Sequence, residues 1–121
     1  MSDHAEADFV NHLLELLEPL DRVTSKRMFG GYGIFREGIM FGLVADGALY
    51  LKTDDQNRPE FERLDLPPFR FASKAGRVTE MSYSLCPDDA LDSPASMAPW
   101  ARSALEAAKR KQKPAKKGKR E

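Results

Sequence analysis

Two acid–glycine dipeptides constrain this chain more than anything else in it. Glu37-Gly38 and Asp46-Gly47 bracket the apolar run Ile39–Ala45. Asp-Gly between two strand-like runs signals a two-residue hairpin turn, because both central positions need a positive φ that few residues other than glycine and aspartate tolerate. A run of strand length closed by a tight turn at each end must pair with both its upstream and its downstream neighbour. Upstream stands Ser25–Arg36, rich in glycine at Gly30, Gly31 and Gly33; downstream stands Ala48–Thr53. In the downstream run Leu49 and Leu51 share one face while Tyr50 and Lys52 share the other, as the two-residue period of a strand requires. The pattern predicts three antiparallel strands.

The flanks supply helices and a second hairpin. Phe9, Leu13, Leu16, Leu17 and Leu20 recur at three-to-four spacing, which predicts a first helix with one apolar face. Ser2 or Asp3 can cap its start, and Pro19 ends it. Asn57-Arg58-Pro59-Glu60 reads as a capping box opening a short helix, with Phe61 and Leu64 facing inward. Phe69–Ser73 and Val78–Leu85 form another hairpin around Lys74–Arg77. A last helix, expected from about Met97 to Arg110 with Ser96 as its cap, buries Met97, Ala101, Ala104, Leu105 and Ala108 and sets Trp100 at its edge. The expected order is α-β-β-β-α-β-β-α, a two-layer α+β fold in which helices cover one face of a five-stranded antiparallel sheet. Phe29, Tyr32, Phe41 and Phe71 exceed what one layer of short helices can bury, which points to a homodimer.

Composition narrows the class. With 121 residues, 41% of them hydrophobic and 31% charged, the chain suits one globular domain. It has no run of about 18 apolar residues to cross a membrane. Met1–Asp8 is acidic and polar, unlike a secretory leader. The single cysteine, Cys86, has no internal partner, so a reducing cytoplasmic setting is expected. The formal net charge of zero hides a division. Lys109, Arg110, Lys111, Lys113, Lys116, Lys117, Lys119 and Arg120 stand against the lone acid Glu121, while the rest of the chain is acidic. This divides residues 1–108, the folded domain, from 109–121, a basic stretch expected to be disordered. Those eight cations are candidate nucleic-acid contacts, acting through charge alone since no aromatic residue accompanies them.

Chemistry-bearing patterns are few. His4 and His12 with one distant cysteine cannot complete a zinc site. Cys86 has no base placed by the sequence. Asp54-Asp55 and Asp88-Asp89 each precede a predicted helix, where carboxylates favour the positive end of the dipole. Gly30-Gly31-Tyr32-Gly33 lacks the residues of a phosphate loop or dinucleotide fingerprint. It reads either as a bend where glycine permits close backbone approach, or as a ligand or partner surface of Gly30, Gly31 and Tyr32 with Lys52 or Arg58 nearby. No residue is assigned to catalysis, to a cofactor or to a metal.

Taken in order, Arg27–Phe35, Met40–Asp46, Leu49–Lys52, Asn57–Phe61 and Met81–Tyr83 closely resemble the N-terminal domain of TfoX/Sxy-type proteins over roughly Phe9 to Leu105. The resemblance implies a curved antiparallel sheet in an α+β fold, often a dimer. It also implies a link to regulation of natural competence genes beside the cyclic-AMP receptor protein, and it brings no catalytic residues. The expectation is a regulatory interaction module that docks on an unidentified protein partner. The alternative is a small accessory protein that binds DNA non-specifically through the basic stretch.

Overall fold

A computed structural model describes residues 2–28, 30–72 and 74–117 of the chain. Three helices and six strands run in the order α1 (Ser2–Leu16), β1 (Val23–Met28), β2 (Gly31–Arg36), β3 (Ile39–Ala45), β4 (Ala48–Lys52), α2 (Arg58–Arg63), β5 (Pro68–Ala72), β6 (Val78–Leu85) and α3 (Pro94–Lys117). Short 3-10 turns at Glu18–Leu20 and Asp88–Asp92 join α1 to β1 and β6 to α3. The sheet is antiparallel throughout, in the order β1-β2-β3-β4-β6-β5.

The sheet therefore has six strands, not the five expected. Gly30, at φ 77°, closes a tight turn inside what reads as one strand over Ser25–Arg36. β1 then returns on β2 with Met28 opposite Gly31 and Val23 opposite Arg36. Both acid–glycine turns fall where expected, with positive φ at Glu37, Gly38, Asp46 and Gly47.

Pairing assigns the two faces. Tyr32, Val44 and Leu49 lie in one row, as do Ile34, Gly42 and Leu51, and these residues meet the helices. Gly33, Leu43 and Tyr50 lie in a row on the opposite face. A register shift makes Phe41 the extra residue between the pairs Phe35–Met40 and Ile34–Gly42. Such a bulge re-aims a side chain. Phe41 joins the helix-side core and is fully buried.

The helices pack on that face through the predicted stripes. Leu13, Leu16, Leu17 and Leu20 are buried, with Val10 beside them and Phe9 at the rim. On α3, Met97, Ala101, Ala104, Leu105 and Ala108 are buried, and the run of alanines brings the helix axis close to β3 and β4. Fully burying one large aliphatic or aromatic side chain contributes about 1.5–3 kcal/mol. Two helix starts differ from expectation. Asn57 makes no side-chain cap bond, Glu60 pairs with Arg63, and the amides of Gln56 and Asn57 donate to Asp54 instead. α3 begins at Pro94, where the Ser96 amide donates to the Ser93 hydroxyl. At its other end α3 runs on through Lys117, past Arg110.

Of the four aromatic residues that argued for a second copy, Phe41 is buried and Tyr32 is half-buried against the core. Phe71 is 48% exposed, and Phe29 lies outside the described residues.

Candidate functional site

The face of the sheet that α1 and α3 leave uncovered carries a mostly apolar depression. Gly31, Met40, Leu43, Phe69, Phe71 and Met81 line a hollow of about 210 Å³. They come from β2, β3, β5 and β6, yet β2 and β5 stand four strands apart in the sheet order. At roughly 4.8 Å per strand a flat sheet would hold them about 19 Å apart. One hollow lined from both sides therefore requires the sheet to curl over this face, in line with the curved sheet expected. Tyr50 and Phe69 help to set the curl by an edge-on contact, ring centroids 5.0 Å apart.

The glycine-rich segment splits between roles. Gly30 makes the hairpin turn. Gly31 lies where a Cβ would fall 2.1 Å from the Val44 carbonyl oxygen, so glycine is required for strand packing. Tyr32 points to the helix side, and its cation is Arg27, opposite it on β1 at 5.8 Å from the ring centre. Lys52 projects from the other face, with Nζ 5.1 Å from the ring centre of Tyr83. Burial lowers its pKa, and repulsion from Lys111 adds to this. Arg58 sits on α2 and pairs with Asp55 at 2.9 Å. The five candidates thus do not converge; only Gly31 borders the hollow.

Another depression, of about 450 Å³, lies between α2 and α3, lined by Gln56, Asn57, Glu60, Trp100, Ser103 and Arg110 among others. Beside it Arg110 grips Asp54 through two bonds, Nε to Oδ2 at 2.5 Å and Nη2 to Oδ1 at 2.9 Å. Asn57, 5% exposed, ties the same corner together. Its Oδ1 accepts from the Asp54 amide at 2.8 Å, and its Nδ2 donates to the Lys52 carbonyl and the Ser103 hydroxyl, each at 3.1 Å. Sequence reading places Arg110 with the nucleic-acid contacts and misses this clasp, because its partners lie far apart in the chain. The only local signal is the pair Asp54-Asp55 ahead of a helix.

The clasp predicts a pH response. The hydrogen-bonded Arg110 guanidinium, aided by the Asn57 and Gln56 amides, holds the Asp54 carboxyl down to about 2. A depressed carboxyl stabilises the fold above its unfolded value and loses that contribution as pH falls. Urea midpoints should therefore drop between about pH 4 and pH 2. The Asp54 share is roughly 1–2 kcal/mol once solvent screening is allowed for. Asp54→Asn should lower the neutral-pH midpoint and flatten that limb; an unaltered acid profile in this variant would count against the clasp.

Lys109 and Lys111, the other cations of the basic stretch whose side chains are described, are less enclosed than Arg110. Lys109 lies 3.9 Å from Glu106, and Lys111 is exposed. Lys113, Lys116 and Lys117 continue α3; Lys119 and Arg120 lie outside the described residues. Cations at the end of a helix complement its dipole. Cys86 is buried, and burial, followed by the charge of Asp88, pushes its thiol up to about 12. No group of three or more His, Cys, Asp or Glu that could hold a metal occurs among the described residues. No described helix is long and apolar enough to cross a membrane.

These features define a two-layer α+β domain with one helical layer and a curled, partly apolar opposite face. The chain belongs to the TfoX N-terminal domain family, which it matches over residues 15–108. It is similar to the DNA transformation protein TfoX1 of Aliivibrio fischeri, with 36% identity over 76 residues that make up 63% of this chain and 34% of that protein. The chain thus spans about a third of that relative's length.

Proposed function

We propose that this chain is a non-enzymatic regulatory module of the cytoplasm. It pairs with a second copy of itself through the curled free face of its sheet, docks on a protein partner, and acts in transcriptional control connected with DNA transformation. Family membership and the name of its relative support the regulatory setting. The observation that carries the docking is the apolar hollow, whose rim residues Phe71 and Met81 are 48% and 37% exposed. Exposed apolar patches of this sort mark interaction sites.

The test is a neutral double variant, Phe71→Ser with Met81→Ser. Both side chains are exposed, so folding should survive with a small change in melting temperature. Light scattering should give a dimer mass for the native chain and a monomer mass for the variant, and the variant should lose proteins that native bait retains from lysate. A native monomer at high concentration, together with identical captures by both baits, would sink the reading.

A further inference from the structure

The hairpin of β5 and β6 outruns the rest of the sheet. The last ladder pair between β4 and β6 is Lys52 with Tyr83, with one further bond from the Thr53 amide to the Ser82 carbonyl. Beyond that point the strands pair with each other alone, through Arg70–Glu80, Phe71–Thr79 and Ala72–Val78. Every described residue from Arg70 to Ser82 is exposed. The result is a two-stranded ribbon, wet on both faces and turned at its tip by Gly76 at φ 85°.

Its composition runs against that of the body. The ribbon carries Arg70, Lys74 and Arg77 against a single acid, Glu80. In the rest of residues 1–108 acidic side chains outnumber basic ones 17 to 8, with acids on α1 (Glu6, Asp8, Glu15) and around Asp88, Asp89 and Asp92; the basic stretch from Lys109 is the exception. A polyanion is thus attracted to the ribbon and repelled by much of the remaining surface. The ribbon's two faces also differ. Phe71 and Met81 turn toward the hollow. Ladder pairing puts Arg70, Ala72, Val78 and Glu80 together on the outer face, where Val78 is 61% exposed.

We infer that this ribbon is a nucleic-acid-binding arm that enters the major groove of duplex DNA. The three ladder pairs that stand clear of the sheet project about 10 Å before the turn, and a two-stranded ribbon fits a groove about 12 Å wide. Arg70, Lys74 and Arg77 contact phosphates along the groove walls. Ala72 and Val78 present methyl groups toward the base edges, where thymine offers the matching apolar contact. The arm uses the outer face, so it leaves the hollow free and does not depend on the protein docking proposed above. It is also separate from the basic stretch that ends α3.

The experiment is a salt series of fluorescence anisotropy, using the full chain and a labelled duplex of about 20 base pairs, from about 50 to 200 mM salt. Neutralising the arm (Arg70→Gln, Lys74→Gln and Arg77→Gln together) should weaken binding roughly 10- to 100-fold at low salt. It should also reduce the log–log salt slope by about 2 to 3, close to one per lost phosphate contact. Neutralising Lys113, Lys116, Lys117, Lys119 and Arg120 instead should leave the arm-dependent share of the slope in place. A single strand of equal length, which has no groove, should bind more weakly. Circular dichroism should show both variants folded, since every substituted side chain described is exposed. Failure of the native chain to bind duplex at low salt overturns the assignment. So does an arm variant that binds as tightly as the native chain, or equal affinity for duplex, single strand and polyaspartate. The Phe71→Ser, Met81→Ser variant should keep its DNA affinity while losing its second copy, which separates the two proposals.

Discussion

Gly31→Val should destabilise the domain by about 3 kcal/mol or more and lower the melting temperature by well over ten degrees. The reason is contact with backbone, not crowding of side chains. A Cβ at this position falls 2.1 Å from the Val44 carbonyl oxygen, 3.2 Å from its carbon and 3.5 Å from the Ala45 Cα. A side chain in the way could rotate; these atoms can withdraw only if β2 separates from β3 next to the Tyr32–Val44 pair. Overpacking of a core usually costs about 1–3 kcal/mol, and a ladder forced apart belongs at the top of that range or beyond. The control is Gly47→Ala. It has open space around its Cβ but a φ of 76°, and should cost only about 1–2 kcal/mol. Denaturant midpoints decide the matter: a Gly31→Val chain within about 1 kcal/mol of native would mean that the two strands lie farther apart than described.

Phe41→Ala should cost about 3–5 kcal/mol, the range for truncating a fully buried aromatic ring. Phe41 has no exposed surface, and the bulge at its position directs it into the cluster formed by α1, α3 and the sheet. Nothing nearby can collapse to fill the gap without moving a strand whose register the bulge itself fixes. Set against a total of about 5–15 kcal/mol for a domain, either substitution removes a large fraction of the stability. The contrast with Phe71 is direct. The same residue type, 48% exposed, should be replaceable at small cost, and a calorimetric melt of Phe41→Ala resembling that of Phe71→Ser would refute the assigned faces.

Most of the architecture is legible in the chain because local chemistry and tertiary packing agree. Asp46-Gly47 turns where its positive φ values permit, and the leucines of α1 and the alanines of α3 face the core at helical spacing. The hidden strand has no such support. β1 reads Val-Thr-Ser-Lys-Arg-Met, with half its residues exposed and none fully buried; its polar middle lacks the apolar alternation that marks a half-buried strand. Its turn is masked by neighbouring glycines, since Gly30 serves φ while Gly31 and Gly33 serve close approach. Phe41 resists assignment to a face as well, because strict alternation sends it to the side opposite Gly42 and a bulge leaves no pattern in a single sequence. In the sequence the candidate surface reads as one patch because Gly30 and Gly31 offer accessible backbone while Tyr32, Lys52 and Arg58 add an aromatic hydroxyl and two cations suited to one ligand. Pairing separates Tyr32 and Lys52 onto opposite faces. Long-range ion pairs such as Arg110 with Asp54 depend on where α3 crosses the sheet, which no local pattern records.

The sealed thiol has a practical corollary. Cys86 holds its proton far above neutrality and is shut away from reagents, so maleimides and peroxide find little to attack in the native chain. Any pairing between copies is then non-covalent and indifferent to reductant. A cysteine introduced at Ala75, beside the tip of the β5–β6 hairpin, would take up a fluorophore almost free of background.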